Sequence, residues 1–106
     1  WVVEDIMVRV TSGPHEDQEA VVKHVDGDSI TILLKSTKQQ VSVSKNQIVA
    51  VLAKKKDRVK MLRSDLRGLT GVLIGIDGSD GIVKMDDNLD IKILDMSSLA
   101  KLATAD

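Results

Sequence analysis

The chain lacks cysteine, phenylalanine and tyrosine, and its 106 residues include a single proline and a single tryptophan, Trp1. Without cysteine it forms neither disulfides nor thiolate sites, which suits a reducing compartment. One tryptophan cannot build the aromatic cage that holds a methylated lysine, nor the stacking platforms of sequence-tolerant single-strand binders. The chain also lacks a signal peptide, a lipidation motif and an apolar run of about 18 residues, so we expect no membrane association.

Apolar residues still make up 42% of the chain, so valine, isoleucine, leucine and methionine must build the core. The length suits one ordinary domain or two very small ones. A net charge of −1 argues against a generally basic nucleic-acid binder, although charge can be segregated locally. Trp1 begins in the middle of a strand-like pattern, and we therefore expect the chain to be a fragment of something longer.

Short β-branched runs alternate with Asp/Gly turns along the chain. The clearest stretch, residues 59–94, contains runs such as Ile82-Val83-Lys84-Met85 between polar loops. Asp26-Gly27 and Asp77-Gly78 are the hairpin signals of the two halves. Runs of this length with these turns predict small antiparallel barrels.

The two halves of the chain repeat one another. A shift of 51 positions places Val8 on Val59 and Asp26-Gly27 on Asp77-Gly78. The pair Val41 and Val43 matches Ile91 and Ile93 if one residue is allowed to slip. Since a repeat of this length fixes the unit of folding, we predict an all-β protein of two tandem five-stranded units. They cover residues 1–52 and 58–106, joined by a short basic linker at residues 53–57.

The middle of the chain has a competing interpretation as a basic amphipathic helix. Leu52, Val59, Leu62 and Leu66 lie at spacings of seven, three and four residues, which suits a helical apolar stripe. The repeat argues against a helix, because residues 58–61 correspond to residues 7–10 and are expected to form a strand as they do. One helical turn is expected at residues 96–98.

No residue pattern indicates catalysis or metal binding. The only histidines are His15 and His24. Neither has a cysteine or a second histidine at ligand spacing, so a zinc site is disfavoured. Residues 77–81 contain oxygen-bearing side chains of the kind that bind calcium in a calcium loop. A strand follows at once, however, which favours a hairpin turn. Asp86 and Asp87 lie in a turn, and no nucleophile elbow or phosphate loop is present. We therefore predict no enzyme activity, no cofactor and no metal.

Charge is segregated in the second half of the chain. Residues 54–67, here called the basic segment, hold seven bases against Asp57 and Asp65, and residues 77–95 hold six acids against two lysines. The bases are the candidate contact residues for a partner or a nucleic acid: Lys54, Lys55, Lys56, Arg58, Lys60, Arg63 and Arg67. A basic edge can contact phosphates non-specifically, whereas a solvated linker explains the same charges without a partner. The acidic residues could equally meet a basic protein surface.

Residues 59–76 resemble a KOW motif, in which a strand, a basic loop, a glycine and a second strand lie on an SH3-like, Tudor-like barrel. Residues 71–86, 90–94 and 99–102 are similar to the last KOW domain of the eukaryotic NusG-type transcription elongation factors, the family of the large subunit of DSIF. The first half resembles the preceding KOW domain. Gly71 takes the place of the KOW glycine, where a side chain would obstruct a bent strand or a neighbouring backbone. The repeat puts Ala20 there, and the first unit's loop is acidic, so we expect the two units to bind different things.

The resemblance implies a nuclear scaffolding segment that docks on the RNA polymerase II elongation complex, associated factors or emerging RNA and contributes to the control of pausing and processivity. It also implies a small zinc-binding partner subunit, held by other parts of the parent chain. The alternative is a sequence-independent RNA- or DNA-binding module that uses the basic segment. Strong salt dependence of RNA affinity distinguishes this alternative from scaffolding.

Overall fold

Ten short strands and three 3-10 turns make up the described part of the chain. The computed structural model describes residues 2–103, apart from the side chain of residue 64, so Trp1 and residues 104–106 of the predicted units lie outside the described residues. The strands of the first half are β1 (Met7–Val10), β2 (Glu19–Asp26), β3 (Ser29–Leu34), β4 (Gln40–Ser44) and β5 (Ile48–Ala50). Those of the second half are β6 (Arg58–Met61), β7 (Thr70–Asp77), β8 (Asp80–Met85), β9 (Ile91–Asp95) and β10 (Leu99–Lys101).

The strands form two antiparallel five-stranded sheets, with the orders β4-β3-β2-β1-β5 and β10-β6-β7-β8-β9. The predicted all-β class and the two five-stranded sheets are thus confirmed. Closure of each sheet into an SH3-like barrel stays a prediction. No helix within residues 2–103 is long and apolar enough to cross a membrane.

The two Asp/Gly turns and the turn at residues 96–98 lie where the sequence predicts them. The Asp/Gly pairs turn β2 into β3 and β7 into β8, and Gly27 and Gly78 take left-handed φ values of 59° and 63° there. Glycine suits these positions because it has no Cβ to clash in that conformation. The helical turn expected at residues 96–98 is present as a 3-10 turn, Met96–Ser98. The alternative of a long helix through the basic segment is wrong, since residues 58–61 form β6 and only the 3-10 turn Ser64–Leu66 follows.

Every strand of the second sheet begins 51 positions after its counterpart in the first, and so does the 3-10 turn before the last strand of each sheet. The one-residue slip predicted between β4 and β9 is therefore wrong. Thr31 pairs with Ser42 in the first sheet as Ile82 pairs with Ile93 in the second. Since a shift of one residue moves a side chain to the opposite face of a sheet, Ile93 replaces Ser42 on the outer face and not an inward-facing valine.

The chain divides into two compact units, residues 2–51 and the residues from Leu52 onward. Ala53 is 2% exposed and belongs to the second unit's core, and the Lys56 amide donates to the Leu73 carbonyl at 2.7 Å. On this ground we propose that the residues predicted as a linker open the second unit.

Alternation along each strand builds the core. In β6, Val59 and Met61 are buried while Arg58 and Lys60 point to the other side. The buried members of the second core share this inward position: Ala53, Val59, Met61, Leu73, Val83, Met85 and Leu99. Burial of such side chains stabilises a fold by about 1.5–3 kcal/mol each, so the inward positions are constrained by the core. The outward residues are left available for other roles.

Candidate partner interface of the second unit

The basic segment comprises a turn, the strand β6 and the loop that follows it. Lys54, Lys55 and Lys56 occupy the turn before β6 and are exposed. Arg58 and Lys60 share the outer face of β6, and Lys60 is half-buried there. Arg63 and Arg67 flank the 3-10 turn that follows, and both are exposed. The seven predicted contact residues therefore belong to one continuous stretch of the unit.

Arg58 is held by an ion pair within the unit. Its guanidinium donates to Asp86 Oδ2, and the Thr70 hydroxyl donates to the same oxygen at 2.6 Å. The Thr70 hydrogen bond, followed by the Arg58 pair, holds the pKa of Asp86 below its usual value. From the sequence, Asp86 was placed in a turn, and this contact was missed. The pairing of β6 with β7 and of β7 with β8 explains it, because it places Arg58 and Thr70 within reach of the residue after β8.

Two further charged contacts involve residues of the basic segment. Lys101 Nζ lies 3.8 Å from Asp57 Oδ2, so a base outside the segment pairs with one of its two acids. Asp95 accepts a hydrogen bond from the Ser97 amide at 2.8 Å. This bond lowers the pKa of Asp95, with a smaller contribution from the positive charge of Arg63. The segment is therefore less isolated from the acidic residues than its sequence suggests.

The first unit provides an internal comparison for the basic segment. Its residues 51 positions earlier are Val3, Glu4, Asp5, Met7, Arg9, Ser12 and Glu16, which include three acids and one base. The backbone of the turn before the first strand is the same in the two units. Asp5 and Lys56 both have left-handed φ values, 69° and 81°, and both amides donate to the counterpart carbonyls of Val22 and Leu73. The fold thus accepts either sign of charge here, and the bases of the second unit are not required by its backbone.

Gly71 lies where two strands approach closely. A Cβ at this position would be 2.7 Å from the carbonyl oxygen of Lys84 and 2.7 Å from Cγ1 of Val83. A methyl group therefore requires a backbone shift. Ala20 occupies the counterpart position in the first unit and is fully buried. The geometry supplies the physical reason for glycine that the resemblance predicts.

No group of three or more His, Cys, Asp or Glu side chains in residues 2–103 is arranged to hold a metal ion. The buried hydrophobic side chains of this range have no buried polar companions. What the described side chains offer is surface chemistry, with charge on the basic segment and apolar side chains on the outer face of the sheet.

Comparisons with known proteins agree with the duplicated organisation. Residues 1–50 match the model of the sixth KOW domain of transcription elongation factor SPT5, and residues 51–102 match that of the seventh. The chain is 40% identical over 103 residues to the putative transcription elongation factor SPT5 homolog 1 of Arabidopsis thaliana, covering 95% of this chain. It is 37% identical over 103 residues to SPT5 homolog 2 of the same plant, covering 94% of this chain. It spans 10% of the length of each of these relatives.

Proposed function

Since the chain belongs to the transcription elongation factor SPT5 family and carries its sixth and seventh KOW domains, we propose that it is a non-catalytic docking segment of a nuclear elongation factor. It attaches to the RNA polymerase II elongation complex, to associated factors or to emerging RNA, and so contributes to the control of pausing and processivity. The small zinc-binding partner subunit is held by other parts of the parent chain. The basic segment is the contact edge of this docking unit.

The observation that carries this proposal is the difference between the two units at matched positions. At the seven matched positions of the turn, the first strand and the loop that follows, the second unit holds seven bases, whereas the first holds one base and three acids. Like charges gathered on one surface repel one another, and exposed ion pairs contribute little to folding. The basic residues are concentrated in one of two units that share the same strand arrangement. A negatively charged partner surface therefore explains them best.

Charge reversal tests the contact edge. The variant Lys60→Glu/Arg63→Glu/Arg67→Glu is expected to lose binding to the polymerase elongation complex while keeping its strand pairs. The matched control, Lys23→Glu/Lys35→Glu/Lys38→Glu, makes the same change in net charge at three exposed lysines of the first unit and is expected to bind normally. If the first variant keeps both polymerase and RNA binding with its fold intact, the basic segment is not the site.

A sequence-independent nucleic-acid contact is the second candidate, and the Arg58–Asp86 pair offers a direct test of it. Asp86→Asn removes the acid that neutralises Arg58, so it is expected to strengthen RNA binding and steepen its salt dependence if phosphates contact this edge. Retention on polymerase stripped of nucleic acid, with no response to Asp86→Asn in RNA titrations, favours protein docking instead.

Crosslinking identifies the neighbour directly. A photoreactive residue at position 63 or 67 of the intact parent factor, in an assembled elongation complex, is expected to crosslink to a polymerase subunit or to RNA. The same residue at the counterpart positions 12 and 16 serves as the control. Equal products from both pairs of positions would contradict a specific role for the basic segment.

A further inference from the structure

The outer face of β7, β8 and β9 carries a cluster of isoleucines. A bulge in β7 lets Ile74 and Gly75 both lie opposite Ile82, which in turn pairs with Ile93. Ile91 lies one row further along β9, opposite Lys84. We call Ile74, Ile82, Ile91 and Ile93 the isoleucine face. Ile91 is 61% exposed and Ile93 is 69% exposed.

The fold does not require this apolar surface. The counterparts of the four isoleucines, 51 positions earlier, are Lys23, Thr31, Gln40 and Ser42, all polar and in the same register. Gly75 leaves Ile82 less covered than a residue with a side chain would. The counterpart of Gly75 in the first unit is His24. An antiparallel sheet with one face on the core normally presents polar residues to water on the other face. The first unit follows this rule, whereas the second departs from it at all four positions.

One end of the isoleucine face is acidic. Asp77 pairs with Asp80, and Asp80 pairs with Asp95, so three carboxylates lie in one row across β7, β8 and β9. Like charges directly opposite one another on a sheet are destabilising. Arg63 acts on one end of this row, at Asp95. The matching row of the first unit reads Asp26, Ser29 and Ser44, so a single acid suffices for the fold there too.

The isoleucine face borders a sheet edge. β9 is the last strand of its sheet and pairs with β8 alone among the strands of residues 2–103. An edge strand can accept a further strand through its backbone groups, and the side chains of the added strand then extend the same face. A strand added beside β9 would place alternate side chains next to Ile91 and Ile93 and one end beside the acidic row.

From this arrangement we infer that the second unit binds an extended segment of a partner protein at the β9 edge. The segment has apolar side chains at alternate positions, which lie beside Ile91 and Ile93 and extend the isoleucine face, and lysine or arginine at the end that meets the acidic row at Asp95. The inference rests on the docking role proposed above and assigns it a second surface. A second copy of the chain is a poorer occupant, because it would bring together two 77–95 segments that each carry six acids against two lysines.

A synthetic peptide tests the inference without knowledge of the natural partner. The probe is a capped peptide long enough to span β9, with valine at alternate positions, threonine between them and two lysines at one end. It is made with the lysines at either terminus, because the strand direction is open, and a third version replaces the lysines with glutamates. Titration into the isotopically labelled chain is expected to shift the amide signals of residues 80–95 with one lysine peptide, and to leave them unchanged with the glutamate peptide.

The first unit supplies the decisive variant. Ile91→Gln/Ile93→Ser places the side chains of Gln40 and Ser42 at the matching exposed positions of the second unit. This variant is expected to bind the lysine peptide about tenfold more weakly, or weaker still. Val49→Ser, at an exposed valine of the first sheet, is the matched control and is expected to bind normally. Asp80→Asn/Asp95→Asn is a further variant that leaves the isoleucines in place, and it is expected to weaken binding of the same peptide.

Three results would overturn the inference. They are equal binding of the lysine and glutamate peptides, unchanged binding by the Ile91→Gln/Ile93→Ser variant, and self-association that this variant abolishes in sedimentation experiments. The inference and the proposed function can also fail separately. If the lysine peptide does not bind and the Ile91→Gln/Ile93→Ser variant still binds the polymerase complex, the isoleucine face is not a docking site, whereas the proposed docking function stands.

Discussion

At the scale of single residues, the close approach at Gly71 leads to a stability prediction. Gly71→Ala is expected to destabilise the second unit by about 1–3 kcal/mol, because the new methyl overlaps the Lys84 carbonyl and forces the strands apart. Urea denaturation followed by the amide signals of β7 and β8 measures this. Gly75→Ala is the control in the same strand, since its Cβ would meet Cδ1 of Ile82 at 3.5 Å, an ordinary contact. Equal stability of the Gly71→Ala variant and the parent would show that the strands adjust without cost.

The lowered pKa of Asp86 predicts a pH dependence. A carboxylate whose pKa is lower in the folded chain stabilises the fold above the unfolded pKa of about 3.9, and this contribution disappears as the pH falls through the folded value. Asp86→Asn is therefore expected to lower the urea midpoint at neutral pH and to have a diminishing effect below about pH 4. Asp87→Asn, which removes the neighbouring exposed carboxylate, is the control. A constant difference between the parent and Asp86→Asn down to pH 2 would contradict the role of the Thr70 and Arg58 hydrogen bonds.

At the scale of elements, the turn between β8 and β9 is strained at Leu89. Its φ is 61°, a left-handed value that costs a residue other than glycine about 1–2 kcal/mol, and its side chain is 65% exposed. Leu89→Asn is expected to raise the stability of the second unit by about 0.5–1 kcal/mol, because asparagine adopts this conformation more readily. The urea midpoint measures the change. Lys38→Asn, at the counterpart φ of 61° in the first unit, should have a similar effect, and a lower midpoint for Leu89→Asn would show that the leucine stabilises the fold.

The strands and turns could be predicted from the sequence, but the face on which each side chain lies could not be predicted for every strand. Asp26-Gly27 and Asp77-Gly78 indicated hairpins because the left-handed turn favours glycine, and the structure places tight turns there. The error at β4 and β9 arose from matching apolar residues with apolar residues. That choice hid the fact that Val43 faces inward, opposite Ile30, whereas Ile93 faces outward, opposite Ile82. Keeping the 51-residue step constant would have revealed the exposed isoleucines from sequence alone.

The charge of the candidate interface was also only partly predictable. Counting bases along residues 54–67 located the basic segment, but it treated the acids of residues 77–95 as a separate surface. Strand pairing brings Asp86 to Arg58, 28 residues away in sequence. Such a contact depends on which strands are neighbours and on the register between them, and neither is encoded in local composition.

At the scale of the whole molecule, the second unit is predicted to fold without the first. The residues of its core cluster come from Ala53 to Leu99, within the second unit. A fragment comprising residues 52–106 is therefore expected to keep the strand pairs of β6–β10. It should unfold at a lower urea concentration than most larger domains, since about 50 residues bury little surface. Amide exchange and chemical shifts of the fragment measure this, and a fragment without stable strand pairs would show that its core needs residues 1–51.

The constant step of 51 residues makes the two units interchangeable in parts. Residues 40–44 and 91–95 have equal lengths, equal register and equal distances to the turns on either side. A strand grafted from one unit into the other would carry its surface to a new host without altering any loop. The chain thus offers two hosts of one architecture, and a recognition property of either can be transplanted into the other and assayed there.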